Sequence, residues 1–205
     1  MPDIKTYTLF AGPNGAGKST FYKKLMLDKV TELGLRINTD EIIKQHFNHD
    51  WQSPNTQINA GRIAVKMIRE CLTGDASFNQ ETTLTGKSII KNITKAKDNG
   101  FCIRLFYVGL ENHQLSVERV AKRVEQGGHG IPTDVLLRRY SVSLENLRLV
   151  LPICNHVQIY DNSVSDLLNF DKPHLIVNNE KVTYYSNDCP QYLKNILTDY
   201  VVKLS

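Results

Sequence analysis

The sequence predicts an α/β domain: a parallel sheet with helices on both faces and a helical lid at about 115–140. Three observations predict it. Short apolar runs alternate with helical periodicities up to residue 163, in the order β-α-β-α-α-β-α-β-α-α-β. That alternation belongs to sheets whose strands are joined by helical crossovers. The first run, 7–11, leads directly into Gly12-Pro13-Asn14-Gly15-Ala16-Gly17-Lys18-Ser19-Thr20, which fits the G-x-x-x-x-G-K-[ST] pattern of a phosphate-binding loop. The chain has 205 residues, enough for one sizeable core. The expectation is a single domain over 1–205, with a C-terminal extension at 164–205.

Each element has a local reason. Residues 7–11 read as a short buried strand, and 20–27 as the helix that follows the glycine loop. Residues 35–38 form the next strand candidate. A helix starts at Thr39, with Asn38 or Thr39 as its N-cap. Residues 46–55 read as loop. From 56 to 73, Ala60, Ala64, Met67, Ile68 and Cys71 recur on one helical face. A strand over 76–83 is polar for a central position. Residues 88–99 are helical and end at Asn99-Gly100, a C-cap signal. The run 101–108 is the clearest strand. A helix from 115 to 126 carries Val117, Val120, Ala121 and Val124 as its apolar stripe. It breaks at 127–132, Gly-Gly-His-Gly-Ile-Pro. A long helix over 133–151 repeats Leu136, Tyr140, Leu144, Leu147 and Leu151, and 156–160 makes a last core strand. Beyond 163, strand-like runs at 175–177 and 182–185 and a terminal helix suggest a hairpin and a covering helix.

Composition narrows the class. Apolar residues make up 41% and charged residues 22%, as in soluble globular proteins. The net charge of +4 suits a protein that handles nucleotides and counts against a nucleic-acid partner. Cys71, Cys102, Cys154 and Cys189 form no C-x-x-C pair and read as reduced, buried thiols. The first apolar run is the loop's own strand, so no signal-peptide layout is seen, and no run reaches membrane-spanning length. The expected location is cytoplasmic, with no membrane association.

The candidate chemistry is phosphoryl transfer, which needs a phosphate cradle, a metal, a group that draws off the acceptor proton, and cations around the γ-phosphate. Residues 12–20 are the cradle for ATP or GTP. There the glycines turn backbone N–H groups inward, Lys18 reaches the phosphates, and Ser19 ligates Mg²⁺. Asp40, at the end of a strand, is the candidate base; its competing role is a helix cap. Glu81 ends the next strand, as a metal-side carboxylate or as an ordinary turn residue, and Thr82 and Thr83 add hydroxyls for substrate. Arg119 and Arg123 share a helical face, and Arg138 and Arg139 open the next helix beyond the glycine-rich break. They read as phosphate-binding arginines of a lid, or as a solvated face paired with Glu118 or Glu125. Arg62, on a helix that also carries Lys66 and Arg69, is a candidate contact for an anionic acceptor. Two other classes fit the loop: a nucleotide-dependent switch and a nucleic-acid-end kinase.

Taken in order, Gly12–Thr20, Asn38-Thr39-Asp40-Glu41, Glu81-Thr82-Thr83, Arg119 and Arg123, the break at 127–132 and Arg138-Arg139-Tyr140 resemble the zeta-toxin family of P-loop kinases, in its shorter bacterial branch. The resemblance spans roughly residues 5–163. It implies a kinase acting on a hydroxyl of UDP-N-acetylglucosamine or a related nucleotide-linked metabolite, with ATP or GTP and Mg²⁺, and a small antitoxin protein over the nucleotide site. By the same resemblance Asp40 is the catalytic aspartate, Lys18 the loop lysine and Glu81 the strand-end glutamate. Where characterised toxins carry a further acidic substrate residue, this chain offers Arg62, Lys66 and Arg69.

Overall fold

The structure, a computed structural model, describes residues 4–27, 33–51, 53–86, 88–164 and 172–204. The elements in chain order are β1 (Thr6–Ala11), α1 (Lys18–Leu27), β2 (Leu35–Ile37), α2 (Thr39–His46), α3 (Pro54–Thr73), β3 (Phe78–Thr82) and α4 (Ile89–Asp98). They continue with β4 (Cys102–Gly109), α5 (His113–Glu125), α6 (Thr133–Val150), β5 (His156–Asp161), β6 (Leu175–Asn178), β7 (Lys181–Tyr185) and α7 (Gln191–Leu204). A 3-10 turn, Leu151–Ile153, links α6 to β5.

These strands form one 7-stranded sheet in the order β2-β3-β1-β4-β5-β6-β7. From β2 to β5 every pairing is parallel. Beyond that point the hairpin expected after residue 163 is present as β6 and β7, which join antiparallel. The reason is local. Asn179 and Glu180 both adopt positive φ, 49° and 63°, and this two-residue turn folds β7 straight back on β6 instead of crossing over.

The sheet buries two unequal faces. Tyr7, Leu9, Ile103, Leu105, Val157 and Ile159 belong to the larger cluster, which takes in Ile43, Ala60, Ile68, Ile93, Leu147 and Leu193 from the helices. On the other face Phe10 meets Phe21 of α1, Val108 and Tyr160. Strand alternation accounts for the split between Leu9 and Phe10. Buried positions on α3 are Thr56, Ala60, Ala64, Ile68, Cys71 and Leu72, close to the predicted stripe.

The stripe expected on α5 is corrected. Only Ser116 and Val120 are buried there, and Val124 is 44% exposed. This helix lies across the glycine loop, so its inner face is set by polar contacts to that loop.

The polarity of β3 also has a cause. Asn79 is fully buried, and its amide reaches the carbonyls of Leu33, Gly34 and Leu35 at 3.2–3.4 Å. It thereby fastens the entry to β2.

Candidate active site

The carboxyl ends of β1, β2 and β3 open onto a cleft of about 1340 Å³. This is where open α/β sheets present their ligand sites. Between β1 and α1, the glycine loop takes its shape from Gly12, Gly15 and Gly17, with φ of 141°, 75° and 90°, values open to glycine but strained for other residues. A Cβ at Gly12 would lie 2.1 Å from the Val108 carbonyl oxygen. Neighbouring elements fix the loop's carbonyls. Ser116 Oγ donates to Asn14 O at 2.7 Å, Asn162 Nδ2 to Ala16 O at 3.0 Å and Lys18 Nζ to Pro13 O at 2.9 Å.

Glu81, at the end of β3, has each oxygen engaged. Its Oε1 accepts from Ser19 Oγ at 2.7 Å. The Oε2 atom accepts from Arg36 Nη2 at 2.6 Å and Asn38 Nδ2 at 2.9 Å. The turn that follows is tightly held: Leu84 is fully buried at φ 62°. Its amide donates to Thr82 Oγ1 and its carbonyl accepts from Asn146 Nδ2. Thr83 and Thr85 share a hydroxyl hydrogen bond of 2.7 Å at the cleft wall.

Asn38, not Asp40, caps α2: its side chain accepts from the Asp40 amide at 2.9 Å. The Asp40 carboxylate is therefore left for the cleft, which it lines. It is half-buried and makes no side-chain hydrogen bond or ion pair among the described residues. The cleft sets the charge balance of its neighbours. Burial lowers the Lys18 pKa, Glu81 and Asp40 pull it back up, and Arg123 and Arg139 push it down. Burial also lowers His129, against the upward pull of Asp40 and with the downward push of Arg123 and Arg139. Arg139 is lowered by burial and Arg138, while Asp40 raises it.

The predicted arginines separate. Arg119 spans Gly15 O and Ser163 O at 3.4 and 3.5 Å. Arg123 donates to His129 O at 2.9 Å, while its Nε is buried without a partner. Neither pairs with Glu118 or Glu125 among the described residues. Arg139 faces the cleft, whereas Arg138 and Arg62 are exposed and outside its lining. Asn14, Gly15, Gly17, Lys18, Ser19 and Thr20 line the cleft, while Gly12, Pro13 and Ala16 are buried beneath it.

Sequence reasoning missed Arg36 and Trp51. The Trp51 ring stacks on His129 at 4.9 Å and 15°, joining the loop before α3 to the linker between α5 and α6. Gln57 lines the cleft one helical turn into α3. A solitary tryptophan in a polar loop was the available signal; its partner lies too far along the chain for periodicity to find.

Residues 8–144 match the sequence family described as AAA domain. An uncharacterized protein of Haemophilus influenzae (strain Rd) is 36% identical over 132 residues, covering 64% of this chain and 89% of that protein. Among solved structures, one from the PezAT chromosomal toxin-antitoxin system of Streptococcus pneumoniae aligns over 100% of this chain and 86% of its own, at 17% identity and a TM-score of 0.59. The AvrRxo1-ORF1:-ORF2 complex with ATP aligns over 94% of this chain and 63% of its own, at 14% identity and a TM-score of 0.66. This chain thus spans less than two thirds of that protein. At these identities the shared property is the fold, that of P-loop kinases. Among the described residues no helix is long and apolar enough to cross a membrane.

Proposed function

This chain belongs to the AAA domain family, and on that premise we propose that it is a small-molecule kinase. It transfers the γ-phosphoryl of ATP or GTP to a hydroxyl of UDP-N-acetylglucosamine or a related nucleotide-linked metabolite. The observation that carries the reading is the cleft-facing Asp40, released from capping by Asn38 and sharing one cavity with Lys18 and Ser19. A carboxylate in that position draws the proton from an acceptor hydroxyl, at an atom close to where the cradle holds the γ-phosphate.

The donor residues suit a magnesium nucleotide. Ser19 Oγ and Glu81 Oε1 are hard oxygen donors 2.7 Å apart, the ligand type Mg²⁺ takes. Ser19 and Glu81 would hold the ion, which would neutralise phosphate charge. Lys18 and the loop amides bind the phosphates. The unpartnered Arg123 Nε and Arg139 supply donors for the transferred group. The lid at about 115–140 then excludes water. One kinase domain over 1–205, a cytoplasmic location and an antitoxin-like protein covering the nucleotide cleft complete the reading.

The test is incubation with γ-labelled ATP and a metabolite extract, with mass spectrometry for new phosphorylated species. A labelled product is expected. Asp40→Asn should cut its rate by about 10²–10⁴-fold at unchanged nucleotide affinity, and Lys18→Ala should abolish it. A nucleotide switch would instead keep its function in Asp40→Ala. No product with the wild type, or an undiminished rate in Asp40→Asn, overturns the proposal.

A further inference from the structure

Arg36 occupies a place that its strand does not require. β2 has 3 residues and is an edge strand, yet the Arg36 side chain is 13% exposed and its guanidinium reaches β3, α2 and α1. It donates through Nη2 to Glu81 Oε2 at 2.6 Å, through Nε to Glu41 Oε1 at 3.2 Å and through Nη1 to Asn79 Oδ1 at 3.2 Å. Its flat face lies 3.6 Å from the centroid of Tyr22, on the helix that leaves the cradle. Alternation along β3 puts Asn79 and Glu81 on one side of the strand, the side Arg36 occupies.

We infer that Arg36 is a positioning residue that fixes the Glu81 carboxylate by one oxygen so that the other faces Ser19, and that ties this metal-side carboxylate to the helix carrying Asp40. A planar fork with separate donors can hold two carboxylates and an amide in one arrangement, which a lysine cannot do. With Oε2 committed to Arg36 and Asn38, Oε1 is directed at Ser19. Glu41 follows Asp40 in α2, so the same guanidinium sets the start of that helix relative to β3. The tyrosine beneath it removes water and favours the cation.

This inference rests on the kinase reading for its purpose, but it is tested without turnover. ATP binding to the full chain is measured by calorimetry with Mg²⁺ and with EDTA, for wild type, Arg36→Gln, Arg36→Lys and Glu41→Gln. The wild type should bind more tightly with Mg²⁺. Arg36→Gln should lose about tenfold of that gain while affinity in EDTA stays within about twofold. Arg36→Lys, with the charge but not the fork, should fall between the two, and Glu41→Gln should lose about threefold or less. Circular dichroism melting checks the fold, and if Arg36→Gln is unfolded, Arg36→Lys gives the deciding value. The inference fails if the folded variant keeps the full Mg²⁺ gain, if affinity drops equally with and without the ion, or if the wild type shows no gain. A missing phosphorylated product alongside an intact Arg36 effect would count against the kinase reading alone.

Discussion

The two walls of the cleft are built differently. On the cradle side the loop carbonyls of Pro13, Asn14 and Ala16 and both oxygens of Glu81 have prescribed partners. On the opposite side Asp40, Trp51, Gln57 and Arg139 face the cavity from separate elements, and the Trp51–His129 stack bridges two loops. A wall fixed by backbone geometry binds what every nucleoside triphosphate shares. A wall of side chains drawn from separate elements can differ from one acceptor to another without disturbing the fold.

Substitutions can break that contrast. The largest effect is expected from Gly12→Ala, whose methyl would meet the Val108 carbonyl at 2.1 Å with φ at 141°. A loss of roughly 2–4 kcal/mol in urea unfolding is expected, together with loss of nucleotide binding. Wild-type stability would mean that the cradle is softer than its partners imply. Trp51→Ala comes next and acts on the other wall. The acceptor KM should rise about tenfold with ATP affinity within about twofold, and an equal fall in ATP affinity would erase the distinction between the walls.

The smallest effect sharpens the comparison through pH. Burial holds His129 below the ordinary 6.5, so the unfolded chain binds a proton there at a higher pH than the folded one. Its contribution to stability is therefore complete above about 6.5 and is lost as pH falls toward the folded value. Trp51 is the sole tryptophan, so its emission should change over that acidic range and should not in His129→Gln. An identical titration in both proteins would assign the change to another group.

The cradle wall was legible because its glycine spacing answers to backbone angles. The strand and helix flanking it read correctly for the same reason. Legibility stopped where a role depends on neighbours distant in sequence. Asn79 made β3 look too polar for a central strand, yet its amide is consumed by carbonyls at the start of β2. The stripe on α5 failed because that helix rests on the loop through Ser116 and Arg119. Arg36 looked like an ordinary strand residue, since Glu81 and Tyr22, which give it meaning, lie on other elements. The antiparallel end of the sheet was legible as a hairpin from its two strand-like runs, and its reversal is made in the two-residue turn Asn179-Glu180.

The position of β1 has a consequence for how the protein is made. It precedes the other described strands in sequence, yet it lies between β3 and β4 in the sheet. As the chain leaves the ribosome, β1 has no hydrogen-bonding neighbour until β3 appears, and both of its edges are covered only after β4 is synthesised. The glycine loop it carries is likewise unsupported until Ser116 of α5 and Asn162 have emerged. The hairpin of β6 and β7, by contrast, closes on itself within a few residues. Nucleotide affinity should thus be acquired only after α5 and β5 have been made, although Asn14 and Ala16 of the motif that defines it precede Ser116 and Asn162 by 102 and 146 residues.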